Sequence, residues 1–248
     1  AMAPVTMAGA VTLSIAEALS AIALFQFVRP GIPCAIGTFT SNVDMKSGAP
    51  AFGTPEYMRA TQMTGQLARF YGLPMRASGV CAANVPDGQA MWETSNSLWS
   101  AVQSSTNIVY HAAGWLEGGL IASPEKFVMD CEVLQMIQRY MEPELWATGP
   151  EDIALDAIRE VGASGHYFGI EHTQKRYETA FYQPFVSDWR NFEAWEAAGS
   201  VWTPERAHRV YKSILEEFEE PPMEAGIRDE LSDFVARRKS EGGAPTDF

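Results

Sequence analysis

Over the first 140 residues, apolar positions follow a strand-then-helix rhythm. Residues 4–9, 34–39, 75–80 and 107–111 read as short strands ending in small and polar side chains, each followed by a longer helical stretch. Tandem units spaced roughly 30–40 residues apart build parallel sheets with their chemistry at the strand C-terminal ends. Helix starts sharpen the boundaries. Thr54-Pro55-Glu56, Ser123-Pro124-Glu125 and Thr203-Pro204-Glu205 each place a hydroxyl at the N-cap, proline at the first helical position and an acid in the first turn. The hydroxyl satisfies an orphan amide, proline lacks an amide to leave unpaired, and the acid complements the positive helix end. Ser14-Ile-Ala-Glu17 reads as a capping box. The pattern predicts helices over 14–28, 55–71, 88–104 and 124–141, with Gly31 and Gly72 as stops.

Beyond residue 142 the strand-like runs cease. Residues 150–161 predict one amphipathic helix with Ile153, Ala154, Ala157, Ile158 and Val161 on a single face. Residues 171–197 are rich in aromatics, 204–218 and 223–238 read as charged helices, and 240–248 as a frayed tail. The expected organisation is an α/β unit over 1–142, built from four βα units of a (β/α)8 TIM-type barrel, with a helical extension over 143–248 packed on it. Four units cannot close an eight-stranded barrel, and an open sheet leaves its edges exposed. The chain is therefore expected to be the C-terminal half of a longer protein; self-pairing into a homo-oligomer and a small open sheet are the other solutions.

With 248 residues, 46% hydrophobic, the chain can build a large core. Its net charge of −13 offers no basic surface for phosphates, so nucleic acid is not an expected partner. Cys34, Cys81 and Cys131 form no pair or cluster, which fits a reducing compartment, and the four histidines show no zinc-site spacing, so no metal site is expected. The apolar run 16–28 reads as too short for a bilayer and no signal peptide is evident, so a cytoplasmic protein without a membrane partner is expected.

The residues following each strand are the candidates for chemistry. Asn42, Asp44 and Lys46 lie in a long loop over 40–54 that reads as a lid or binding loop, and Thr38 precedes it. Asp87, Gln89, Trp92 and Glu93 flank a helix start. Asp87 serves there either as an N-cap or as an acid that handles a proton. His111 and Trp115 follow the last strand, and His111 reads equally as a satisfied core residue. Trp92, Tyr110 and Trp115 offer aromatic faces for a quaternary ammonium group. No phosphate loop, dinucleotide fingerprint or nucleophile elbow occurs.

In combination, Gly48-Ala-Pro-Ala-Phe-Gly-Thr-Pro-Glu56, Asn84-Val-Pro-Asp-Gly-Gln-Ala90 with Trp92-Glu93, Glu171-His-Thr173, Pro184-Phe-Val-Ser-Asp188, Trp195 and Gly199 resemble the trimethylamine methyltransferase family. The resemblance implies a TIM barrel of about twice this length. It also implies transfer of a methyl group from a methylated amine to the Co(I) corrinoid (cobalamin) carried by a separate partner protein. Archaeal members carry pyrrolysine at a position falling near residues 86–89, where this chain has only standard residues. A quaternary amine such as glycine betaine needs no imine adduct for activation, so it is the implied substrate. The resemblance places Asp87, Gln89 and Glu93 at the methyl-transfer site and Asn42, Asp44 and Lys46 on substrate. His111, Trp115 and His172 complete the mouth, and His172 alternatively clamps the helical extension to the barrel. A barrel lyase or hydrolase using Asp87 and Glu93 as acid and base, and a quaternary-amine sensor without turnover, are the competing readings.

Overall fold

The first expected strand is absent, and its second half opens a helix. The computed structural model describes residues 2–37, 39–143 and 149–242, so Thr38 and the tail over 243–248 lie outside the described residues. In it α1 runs over Met7–Val28, through residues 7–9 of the stretch expected as a strand and through the Ser14–Glu17 pattern expected as a helix start. The correction has a local cause. Nine of its residues are alanine or leucine, the strongest apolar helix formers, and Thr6 just before it is extended, with no side-chain cap. α1 also corrects the expectation that no apolar segment reaches membrane length. It has 22 residues, with a mean hydropathy of 1.8 and 11% burial over its most apolar 18-residue window, so it is long and apolar enough to cross a membrane by length and composition.

The order continues as β1 (Ile36–Gly37), β2 (Asn42–Val43), β3 (Pro50–Ala51), α2 (Pro55–Tyr71), β4 (Met75–Ser78), α3 (Gly88–Gln103) and β5 (Ile108–Tyr110). Then come β6 (Trp115–Leu116), β7 (Ile121–Ala122), α4 (Pro124–Met141), α5 (Leu155–Val161), α6 (Glu171–Gln174), α7 (Phe192–Ala197), α8 (Thr203–Glu216) and α9 (Ala225–Ser240). α2, α3 and α4 begin where the sequence places them. Thr54, Asp87 and Ser123 each accept a hydrogen bond from an amide in the first turn, and α2 stops at Gly72, whose φ is +65°. The expected helix over 150–161 is instead a 3-10 turn over Pro150–Ile153 followed by α5, broken at Ala154, which sits at φ +52°. Of its expected apolar face only Ala157 is buried.

β1, β4 and β5 form one parallel sheet in that order, with Ile36 opposite Met75 and Ser78 opposite Tyr110. Side chains alternate across it. Met75, Ala77 and Val109 pack with Ile36 against Val11 and Ile15 of α1 and Ala60 and Ala68 of α2, which is the main core. Arg76, Ser78, Ile108 and Tyr110 take the opposite face, where Ile108 and Tyr110 are half exposed. The loop expected as a lid is a hairpin, β2 pairing antiparallel with β3, and a second hairpin joins β6 to β7.

The chain divides into two compact units, Ala1–Tyr211 and Lys212–Phe248. Within the first, Glu132 of α4 is buried and accepts from the amides of Phe185 and Val186 and from the Ser187 hydroxyl, tying the later segment to the α/β part. The second contains α9, along which Ile227, Leu231, Phe234 and Val235 are half exposed.

Candidate functional site at the strand C-terminal ends

The parallel strands deliver their following residues to one end of the sheet. His111 directly follows β5 at φ +50°, an unfavourable conformation for a residue with a Cβ. Its Nδ1 lies 2.7 Å from the Ser78 hydroxyl on β4. Burial, and then the charge of Arg76, hold its imidazole below the ordinary histidine range, so it is neutral at neutral pH. Trp115 meets the His111 ring edge-on, with centroids 5.5 Å apart, and Phe39 lies 6.2 Å away. Behind them Phe52 and Tyr57 pack edge to face at 5.8 Å. The Tyr57 hydroxyl donates to the Ser78 carbonyl at 2.9 Å, and burial pushes its phenol up to about 12.

Arg76 occupies the sheet face beside this aromatic rim. Its guanidinium carbon stands 4.8 Å from the Tyr110 ring centroid, in cation–π range. Its Nη1 is buried and has no hydrogen-bond partner among the described residues. A buried donor atom is costly to leave unpaired.

Asn42 sits in β2 and its side-chain oxygen accepts from the Thr54 hydroxyl at 2.5 Å, joining the hairpin base to the start of α2. Asp44 caps the hairpin turn. It accepts from the Ser47 hydroxyl at 2.6 Å and from the amides of Ser47 and Lys46, bonds that hold its carboxyl below the usual carboxylate range. Lys46 is exposed in that turn. Asp87 caps α3 through the Ala90 amide at 3.1 Å. Glu93 directs one carboxylate oxygen to the amides of Ala82 and Ala83, at 2.8 and 3.0 Å, and the other to the Gln89 amide at 2.8 Å. Glu93 and Gln89 thus hold the loop after β4 and each other. Trp92 points outward, 60% exposed. His172 lies in α6, where its carbonyl accepts from Arg176.

Two glycines permit this packing. Gly53 has φ +67°, and a Cβ there would lie 2.3 Å from the Glu93 carbonyl oxygen; the Asn96 side chain also binds the Gly53 carbonyl. Gly118 has φ +64° and sits against the Phe52 ring. The β6–β7 hairpin docks by two backbone bonds, from Glu117 to Ala83 and from Gly118 to Cys81.

The family model for trimethylamine methyltransferase (MTTB) matches residues 1–243. The chain belongs to the trimethylamine methyltransferase family. It is 35% identical over 241 residues to a glycine betaine methyltransferase of Desulfitobacterium hafniense, covering 97% of this chain and 50% of that protein. It is 30% identical over 233 residues to the trimethylamine methyltransferase MttB2 of Methanosarcina mazei, covering 94% of this chain and 46% of that protein. A trimethylamine methyltransferase MttB of Desulfitobacterium hafniense is 30% identical over 240 residues, covering 96% of this chain and 48% of that protein. The chain spans about half the length of the curated relatives it matches.

In this member of the trimethylamine methyltransferase family the rim unites His111, Trp115 and Phe39, and Arg76 joins them through its charge on His111 and its contact with Tyr110. Arg76 was not among the sequence candidates. Its signal is a single cation inside the otherwise uncharged strand stretch Met75-Arg-Ala-Ser-Gly-Val80. Lys126, Asp130 and Thr94 form a buried polar cluster that the sequence also did not single out. Among the described residues no group of three His, Cys, Asp or Glu side chains is placed to hold a metal ion.

Proposed function

We propose that the whole protein transfers a methyl group from a quaternary amine bearing a carboxylate, of the glycine betaine type, to the Co(I) corrinoid of a partner protein. In this reading the chain is the C-terminal half of a (β/α)8 barrel over 1–142 with a helical extension over 143–248. The other half covers the open sheet face and the exposed Leu24, Phe25, Phe27 and Val28 of α1, in a cytoplasmic protein.

The observation that carries the proposal is the pairing of an unspent guanidinium donor with an aromatic rim. Arg76 offers a buried N–H without a partner among the described residues, and Tyr110, Trp115 and Phe39 surround the neutral His111. A zwitterion matches both ends. Its carboxylate takes a charge-assisted bond from Arg76, and its trimethylammonium group gains about 0.5–2 kcal/mol from each aromatic face it meets when desolvated. A neutral His111 adds a donor or acceptor without repelling the cation. The chemistry needs no general acid. The C–N electron pair would stay on nitrogen, which leaves as a neutral tertiary amine, and the reduced corrinoid of the partner would supply the pair for the new bond to the methyl carbon. What the protein supplies is alignment and exclusion of water. Residues 86–89 are Pro, Asp, Gly and Gln, which suits an amine needing no covalent adduct. The engagement of Glu93 with two amides and Gln89 disfavours an acid–base role for it.

Calorimetric titration of the whole protein with glycine betaine and choline, before and after Arg76→Met, tests the reading. Loss of a hydrogen bond to a charged group, about 1.5–3 kcal/mol, predicts glycine betaine binding weakened roughly 10–100-fold with choline unchanged. Equal weakening of both ligands would show that Arg76 only supports the fold.

A further inference from the structure

Beneath the corner between β5 and β6 lies a charged pair that methyl transfer does not use directly. Lys126 is fully buried and donates to the Thr94 hydroxyl at 2.8 Å and to both carboxylate oxygens of Asp130, Oδ2 at 2.6 Å. Asp130, 1% exposed, also accepts the Gly114 amide on Oδ2 at 2.9 Å. A buried ion pair is a weak source of stability, because desolvating two charges offsets their attraction and apolar replacements are often neutral or better. Burial accordingly pushes the Asp130 carboxyl up, against the pull of Lys126.

What the pair does provide is direction. It joins α3 through Thr94 and α4 through Lys126 and Asp130 to a single backbone donor at the corner. Gly114 sits there at φ +84°, close against Phe127. His111 lies three residues before Gly114 and Trp115 immediately after it, and the Trp115 carbonyl is held from the other side by the Cys81 thiol at 3.2 Å. Fixing the Gly114 amide therefore fixes where the Trp115 ring meets His111.

We propose that Asp130, held by Lys126, is a positioning residue: by binding the Gly114 amide it sets the Trp115–His111 ring pair and so the affinity of the rim for a quaternary ammonium group. The proposal rests on the quaternary-amine reading above. Its test uses the whole protein and two double variants. Lys126→Met with Asp130→Leu removes both charges and the acceptor. Lys126→Met with Asp130→Asn removes both charges and keeps an acceptor for Gly114. Two quantities are read, hydrogen exchange of the peptide over residues 112–116 and the dissociation constant for glycine betaine. The first variant is expected to exchange at least about 10-fold faster over that peptide and to bind about 10-fold more weakly. The second is expected to restore both to within about 3-fold of wild type. Should the leucine variant fail to fold, Lys126→Met with Asp130→Ser, whose side chain is too short to reach Gly114, takes its place. Unchanged exchange, or fast exchange with unchanged affinity, or a weakening that asparagine does not rescue, would overturn the proposal. Exchange is measured without amine, so a wild-type protein that binds no quaternary amine would refute the substrate reading on its own, separately from the contact between Asp130 and Gly114.

Discussion

Glu132→Ala measures what holds residues 185–187 to α4. The wild-type carboxylate is 4% exposed and accepts from Phe185 N at 3.0 Å, Val186 N at 2.9 Å and Ser187 Oγ at 3.1 Å. Hydrogen bonds to a charged group contribute about 1.5–3 kcal/mol each, so three give a gross figure of about 4.5–9 kcal/mol. Against this stands the desolvation of the carboxylate, several kcal/mol that the variant no longer bears. The two amides also regain water if the segment lifts away. The net expectation is a destabilisation of about 3 kcal/mol, with Val186 leaving its contact with Val128, Met129 and Ala207. Urea denaturation followed by tryptophan fluorescence reads it, since Trp189, Trp195 and Trp202 follow the segment. Glu132→Gln keeps the shape and an acceptor but loses the charge, and about half the effect is expected. A Glu132→Ala midpoint within about 0.5 kcal/mol of wild type, the range of an ordinary surface change, would refute the assignment of a clamp.

Two further outcomes follow from the site. Gly53→Ala puts a Cβ where the Glu93 backbone already lies, at positive φ; left-handed strain of about 1–2 kcal/mol plus overpacking of about 1–3 kcal/mol predicts a clear drop in melting temperature, and a wild-type melt would contradict the close approach. His111 has a folded pKa below its ordinary 6.5, so the unfolded chain takes up that proton first. Its contribution to stability is therefore present above pH 6.5 and lost as the pH falls below it towards the folded pKa. NMR titration is expected to show a depressed His111 midpoint that rises only partway in Arg76→Met, because burial is the larger cause; a midpoint at or above the ordinary value would contradict the geometry.

Legibility of the fold tracked how local its determinants are. α2, α3 and α4 are written into Thr54, Asp87 and Ser123, whose side chains bind first-turn amides in the structure as the sequence leads one to expect. α1 misled because its apolar residues run without a period, so Pro4 and the β-branched Val5 and Thr6 before it, with Gly9 inside it, imitated a strand. The two hairpins pair only two residues per strand, too few for alternation to show. Ala154 breaks the helix over 150–161 by a left-handed turn that no glycine announces. At the site, His111 and Trp115 were legible from their place after a strand. Asp44 and Glu93 were legible as polar, but only three-dimensional packing revealed that their carboxylates are occupied by nearby amides. Lys126 lies in the first turn of α4, where a sequence suggests solvent, and is instead fully buried.

Methyl transfer itself tests the quaternary-amine assignment most directly. The whole protein is incubated anaerobically with chemically reduced cobalamin and offered glycine betaine, carnitine, choline or trimethylamine in turn, while the Co(I) absorbance is followed. Loss of Co(I) is expected with a carboxylate-bearing quaternary amine, at a rate reduced in Arg76→Met, and none with trimethylamine. Loss with trimethylamine alone, or binding of a quaternary amine with no loss of Co(I) under any of the four, would contradict it.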